Sequence, residues 1–262
     1  MGASNLFYLL KKITISFLAT NLQIKFIRSL QLKKNRDENR LFVCEGTKIV
    51  EELLSQNSYQ ILEIYAKKEW IDTHESIELP VILTSESEMQ KISNLTTAPE
   101  VLAVVHYREH ISVDPKATLS LYLDQISDPG NMGTIIRTAD WYGCHQIFLS
   151  PQCVQIYNPK VVQATMGSLF RMNITTMTLD DLMKKNQFKA VYGAVLNGTN
   201  IHETFFQPQS LLIMGSESHG IMEENIKHLT DKITIPRIGY AESLNVSVAT
   251  GIILDHIANK IY

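Results

Sequence analysis

The chain has 262 residues, 45% of them hydrophobic and 19% charged, with a formal net charge of −3. That balance excludes attachment to nucleic acid through a global positive field, so any such role needs a local basic patch. The three cysteines, Cys44, Cys144 and Cys153, are odd in number and lack C-x-x-C spacing, which argues against a disulfide framework or zinc site and for reduced thiols in a cytoplasmic protein.

Residues 1–20 carry no readable element and are taken as an extension. Lys11 and Lys12 break its apolar stretch well below the ~20 residues that span a bilayer, so no membrane segment is expected. No basic region precedes that stretch and no A-x-A-like site ends it, so it does not read as a secretory signal. Leu6 stands where a myristoylation motif needs Ser or Thr.

From residue 21 to 107, apolar strands at "LFVCEG", "ILEIYA", "PVILTS" and "VLAVVHY" alternate with helical stretches at "QIKFIRSLQ", "TKIVEELLSQ" and "SESEMQKIS". This predicts a small α/β domain able to fold alone. The polar stretch around Pro115, residues 108–118, reads as a linker. Residues 119–262 predict a second α/β domain. Its strands fall at "LSLYLDQ", "QIFLS", "NITTM", "KAVYGAVL", "LLIMGS" and "KITIP". Near-continuous apolar strands alternating with helices imply a parallel sheet covered on both faces, whose ligands sit at the strands' carboxyl ends. Only Gly2 and Gly46 precede residue 130; the other ten glycines begin with Gly130 itself, placing close backbone approach in this second half.

Three loops at those carboxyl ends hold the unusual residues. In "ISDPGNMGTIIRTAD", Pro129 ends the extended segment, Asn131 suits a helix N-cap, and the helix is expected to bury Ile135, Ala139 and Tyr142. No Gly-Lys-Ser/Thr follows, which excludes a P-loop. Arg137 leans back over the loop mouth, where it either binds an anion or pairs with an acid such as Asp140 or Glu217. In "GSESHGI", Glu217 lies between Gly215 and Gly220, as a ligand to substrate or as a turn acid for the helix "MEENIKHL"; His219 is read as solvated. In "IPRIGYAESLNVSVATGIILDHI", Ser243 and Asn245 precede a helix with an apolar stripe of Val246, Ala249, Ile252, Ile253 and Ile257. Capping explains one of the two, not both. His202-Glu203 lacks the second histidine of H-E-x-x-H, and no metal site is expected.

These three stretches, in this order and spacing, resemble the motifs of the SpoU/TrmH family of RNA ribose methyltransferases, from about Leu119 to the end of the sequence. "IKFIRSLQLKKNRDENRLFVCEGTKIVEELL" is similar to that family's N-terminal substrate-binding domain, itself like small ribosomal RNA-binding proteins. The resemblance implies an α/β trefoil knot, a homodimer formed through it, and S-adenosylmethionine as methyl donor. It implies cofactor contacts at Leu196, Gly215, Ile235 and Leu244, largely through backbone atoms, and polar site residues Asn131, Arg137, Glu217, Ser243 and Asn245. Thr165 stands where relatives commonly have serine, which keeps the hydroxyl. Arg137 is the residue the family pattern makes catalytic at the ribose 2′-hydroxyl. An arginine stays charged at neutral pH and is a poor general base, so its expected role is to grip phosphate and stabilise a developing alkoxide.

Lys25, Arg28, Lys33, Lys34, Arg36 and Arg40 face only Asp37 and Glu38 within residues 25–40. They form the local patch expected to contact RNA phosphates without reading sequence. The reading is a cytoplasmic enzyme acting on ribosomal RNA in preference to transfer RNA, with a resistance role possible in the same family. Its rivals are an RNA-binding or ribosome-assembly factor on the same fold, and an ordinary nucleotide-binding α/β enzyme.

Overall fold

The structure is a computed structural model that describes residues 15–17, 19–74, 77, 79–108 and 113–261. The chain divides into two compact units, Met1–Glu109 with Tyr157–Gln163, and His110–Ile156 with Ala164–Tyr262. The seven-residue excursion that joins Tyr157–Gln163 to the first unit departs from the contiguous boundaries expected from sequence. Of the expected linker, residues 109–112 lie outside the described residues.

In the first unit, the elements in chain order are β1 (Ile15–Phe17), α1 (Asn21–Ser29), α2 (Lys33–Asn39), β2 (Leu41–Glu45), α3 (Thr47–Gln56), β3 (Ile61–Ala66), α4 (Lys68–Thr73), β4 (Val81–Leu83), α5 (Glu86–Ile92) and β5 (Val101–His106). The strand order is β1-β4-β3-β5-β2, parallel except where β5 meets β3 and β2. Two expectations are corrected here. Ile15–Phe17, read as extension, adds an edge strand to the sheet, while residues 1–14 and 18 lie outside the described residues. Of the six basic residues expected to face RNA, Arg36 of α2 is turned inward. The entry to α1 is a reciprocal capping box, in which Thr20 Oγ1 accepts from Gln23 N–H at 3.2 Å and Gln23 Oε1 accepts from Thr20 N–H at 3.0 Å. Ile27 and Leu30 from the α1 side and Met89 and Ile92 of α5 close over Tyr65, Ile82, Leu102 and Val104 of the sheet. Each such apolar side chain contributes about 1.5–3 kcal/mol on full burial. Tyr157 lies 4.1 Å from the Tyr107 ring, stacked, and 4.4 Å from that of Phe42.

In the second unit, the elements are β6 (Leu119–Asp124), α6 (Pro129–Trp141), β7 (Gln146–Leu149), α7 (Pro159–Thr165, which begins within the excursion), a 3-10 turn (Ser168–Phe170), β8 (Asn173–Thr176), α8 (Leu179–Lys185), β9 (Val191–Asn200), β10 (Ser210–Gly215), α9 (Glu223–Ile226), β11 (Asp231–Thr234) and α10 (Val246–Ile261). The helix read over "MEENIKHL" is shortened to the single turn of α9. All six strands run parallel, in the order β11-β9-β10-β6-β7-β8. The expected parallel sheet is therefore present.

The order locates the site. From β6 the chain moves outward to β7 and β8; from β10 it moves the other way, past β9, to β11. The loops leaving β6 and β10 thus diverge from two adjacent strands whose last residues, Asp124 and Gly215, are register partners. A crevice at such a switch point is where open α/β sheets bind ligands.

Candidate active site

The loop after β6 is shaped by its own side chains. Gln125 has φ +58°, a conformation strained for a non-glycine residue, and its N–H is held by the buried Ser150 hydroxyl at 2.9 Å. Asp128 then caps α6, its Oδ1 accepting from Asn131 N–H at 2.7 Å, with Pro129 in the first turn. The N-cap assignment of Asn131 is thereby corrected: an aspartate three residues earlier takes that bond, which frees the Asn131 side chain. Ile135 and Ala139 are buried, as the pattern predicts, and Met132 and Ile136 are buried beside them. Tyr142 is not. It is half-buried at the C-cap and donates its hydroxyl to Asp255 of α10 at 3.1 Å.

The loop after β10 is a tight excursion closed by two hydrogen bonds, Ser216 N–H to Gly220 O at 3.1 Å and Gly220 N–H to Ser216 O at 2.9 Å. A Cβ on Gly215 would lie 2.0 Å from the Gly220 carbonyl carbon, so only glycine fits where the two limbs meet. Glu217 projects from the tip. It does not cap α9, whose N-cap is Met222. His219 is exposed, as read.

The third segment meets the other two. Asn245 Nδ2 donates to Glu217 Oε1 at 2.6 Å and to Asn131 Oδ1 at 2.9 Å; Asn131 Nδ2 donates to the same Glu217 oxygen at 3.0 Å. Asn245 Oδ1 accepts from Ser247 N–H at 2.9 Å and Ser247 Oγ at 2.6 Å, which caps α10. One carboxamide therefore caps the helix with its oxygen and ties the site with its nitrogen. The donor count fixes its orientation.

Three of the five polar residues expected from the motifs, Asn131, Glu217 and Asn245, thus form one closed network. Ser243 is exposed and makes no hydrogen bond among the described residues. Arg137 is exposed on the solvent side of α6 and likewise makes no hydrogen bond or ion pair among them. It does not pair with Asp140 or Glu217, which have other partners. Asp140 is gripped by Arg171 through Nε at 2.9 Å and Nη2 at 2.6 Å, and Glu217 is held by the two asparagines.

Of the residues expected to contact the cofactor, Leu196 lies in a bulge of β9. The register with β11 runs from Gly193–Lys232 directly to Thr199–Ile233, so the intervening residues protrude. Leu196 is 71% exposed, and its carbonyl accepts from Thr234 Oγ1 at 3.1 Å, which brings it beside Ile235. A Cβ on Gly198 would lie 2.7 Å from Lys232 backbone. Gly215 ends the neighbouring β10, and Leu244 immediately precedes Asn245. Glycines pressed against backbone at Gly198 and Gly215, beside the protruding bulge of β9, make a surface suited to a ligand held by main-chain groups. That donor set fits S-adenosylmethionine.

Two expectations on α10 and the basic patch change. Ile252 is 39% exposed and Ala249 half-buried; Val246, Thr250, Ile253, Leu254 and Ile257 form the buried face. Arg36 is 2% exposed, and its Nη1 donates to the Leu30 carbonyl at 3.0 Å and the Gln31 carbonyl at 2.7 Å. It fastens the turn between α1 and α2 and is withdrawn from phosphate. Lys25, Arg28, Lys33, Lys34 and Arg40 stay exposed; Lys33 and Lys34 pair with Asp37 and Glu38, and Arg40 sits 5.0 Å from the Tyr107 ring.

Other chemistries find little footing. Burial pushes the Cys144 thiol up to about 12 and raises those of Cys44 and Cys153, away from thiolate reactivity. Among the described residues, no group of three or more His, Cys, Asp or Glu side chains could hold a metal ion. No helix among them is long and apolar enough to cross a membrane.

Comparison with known proteins agrees with this geometry. Residues 118–255 match the SpoU rRNA methylase family, and residues 21–103 match an MRM3-like substrate binding domain. The 23S rRNA (guanosine(2553)-2′-O)-methyltransferase RlmP of Bacillus subtilis is 30% identical over 244 residues, covering 91% of this chain and 97% of that protein. An AdoMet-bound rRNA methyltransferase structure from Sinorhizobium meliloti is 28% identical, with a TM-score of 0.84 and coverage of 95% and 99% of the two chains. A TrmH-family structure from Porphyromonas gingivalis is 34% identical, with a TM-score of 0.81 and coverage of 92% and 98%.

Proposed function

The chain belongs to the SpoU rRNA methylase family, and from that premise we propose how its residues divide the work. It is an S-adenosylmethionine-dependent RNA ribose 2′-O-methyltransferase, with ribosomal RNA favoured as substrate. We narrow the substrate to large-subunit rRNA, because the relatives RlmP and RlmB are named as 23S rRNA enzymes. The reading as an assembly factor without methyl transfer finds no support.

Bound S-adenosylmethionine supplies an electrophilic methyl group on a sulfonium centre. Main-chain groups at Leu196, Gly215, Ile235 and Leu244 would hold it, with the C-terminal segment threaded as the family's knot. The Asn131–Glu217–Asn245 network locks the three loops into one wall, so that the reacting groups meet without reorganisation. Ser243, exposed two residues before Asn245, donates to the ribose or its phosphate. Arg137 grips a substrate phosphate and stabilises charge on the 2′-oxygen as it attacks. The proton leaves to the RNA phosphate or to water. The observation that carries this reading is the network itself: a carboxylate and two carboxamides, 86, 28 and 114 residues apart in sequence, meeting within 2.6–3.0 Å at the switch point.

Lys25, Arg28, Lys33, Lys34 and Arg40 position the RNA through its backbone. A second copy of the chain covers the exposed face shared by α6 and α10, where Trp141, Val248 and Ile252 are 83%, 51% and 39% exposed, giving a cytoplasmic homodimer. The test is ribose-methylation mapping of ribosomal RNA from cells with and without the gene, alongside methyl transfer in vitro to RNA from the deletion strain. Loss of one 2′-O-methyl mark, restored by the purified protein, is the expected result. An unchanged map with no transfer in vitro would refute the proposal.

A further inference from the structure

Asp124 is the last residue of β6 and only 1% exposed, yet it is a carboxylate. Burying an ionised carboxylate is costly unless hydrogen bonds compensate it. Both bonds found here go to one place. Oδ2 accepts from Met222 N–H at 2.9 Å and from Asn225 Nδ2 at 2.8 Å, 98 and 101 residues away. Asn225 is itself buried. Met222 and Asn225 lie just beyond the Gly215–Ile221 loop, and Gly215, where that loop begins, is the direct register partner of Asp124.

The loop is therefore fixed at three points. Its root pairs beside Asp124, its exit is drawn back onto the Asp124 carboxylate, and its tip carries Glu217 into the asparagine network. Asp124 is too buried to touch substrate, and it spends its charge on an exit segment that would otherwise have an unpaired N–H and carboxamide. We propose that Asp124 is a positioning residue for the methyl-transfer reaction, setting the loop that places Glu217. This rests on the assignment of Glu217 to the site.

A positioning role and a merely structural one differ in their coupling. If Asp124 acts through the loop tip, its loss matters only while Glu217 is present; if it only stabilises the fold, the two losses multiply. The experiment measures kcat and KM for S-adenosylmethionine, with RNA from the deletion strain, in wild type, Asp124→Asn, Asp124→Ala, Glu217→Ala and the double alanine variant. Melting temperatures are recorded in parallel. Asp124→Ala should lower kcat/KM about 100-fold, as expected for a misplacement of about 1 Å. Asp124→Asn, which keeps an oxygen to accept both bonds, should stay within about threefold of wild type. The double variant should be no worse than Glu217→Ala alone. If Asp124→Ala does not fold, Asn225→Ala, which removes one of the two donors, takes its place in the cycle. A wild-type rate for Glu217→Ala would sink the assignment of Glu217 and this coupling with it. A normal Asp124→Ala beside an impaired Glu217→Ala, or multiplying losses, would overturn the positioning role alone.

Discussion

Replacing Arg137 separates chemistry from folding. The side chain is exposed on α6 and makes no hydrogen bond or ion pair among the described residues, so its removal deletes nothing that holds the fold. Surface changes of that kind stay within about 0.5 kcal/mol. For a domain of this size that is about 1–2 °C in Tm. The catalytic cost is of another order. A preorganised donor aimed at developing charge contributes about 3–4 kcal/mol, or about 100- to 1000-fold in kcat. Arg137→Ala should lose that much. Arg137→Lys keeps the charge but not the two-pronged fork and should lose about tenfold. Single-turnover transfer of labelled methyl from saturating S-adenosylmethionine isolates the chemical step. An alanine variant at the wild-type rate would refute the assignment; so would a rate loss accompanied by a Tm drop of several degrees, since the guanidinium would then be structural.

The double duty of Asn245 can be split. Asn245→Ala loses the cap of α10, costing about 1 kcal/mol, and releases Glu217, so both Tm and kcat should fall. Asn245→Ser retains a capping oxygen without the amide donor, so Tm should hold while kcat falls; an active serine variant would deny the network a catalytic role. His256 governs a pH response. Burial first, then His202 and Lys260, lowers its affinity for a proton, and Nε2 is buried without a hydrogen-bond partner among the described residues. The unfolded chain therefore binds that proton more readily, so this contribution to stability is full above about pH 6.5 and drains away as the pH falls further. Thermal melts across about pH 7.5 to 5.5 should show a smaller loss for His256→Phe than for wild type, and equal losses would reject the idea.

Local rules were readable where one segment decides the outcome. Strands β2 to β11, Ile135 and Ala139 on the buried face of α6, and the helix after Asn245 follow from periodicity, because burial on one face leaves its trace in a single stretch of residues. Capping was half readable. Asp128 and Asn131 are both good caps, and the choice between them depends on Glu217 and Asn245 competing for the asparagine from 86 and 114 residues away. Arg36 looked like its basic neighbours; only the close turn between α1 and α2 gives its guanidinium two carbonyls and takes it out of solvent. The bulge in β9 was hidden because an apolar run reads the same whether paired throughout or interrupted. Asp124 did leave a signal, a lone acid closing the apolar run "LSLYLD", but its meaning depends on partners about 100 residues away. The expectation of a knot came only from resemblance.

Asn131, Glu217 and Asn245 have a consequence for the order in which the molecule matures. Each belongs to a different part of the chain, and the last of them also starts the closing helix, which packs along α6 through Tyr142 and Asp255. Contacts so distant along the polymer form late, after local helices and neighbouring strands have paid their entropy of ordering. A refolding molecule will therefore regain its circular dichroism well before its activity, and any fragment lacking the closing helix will be a sheet with an open mouth and no enzyme.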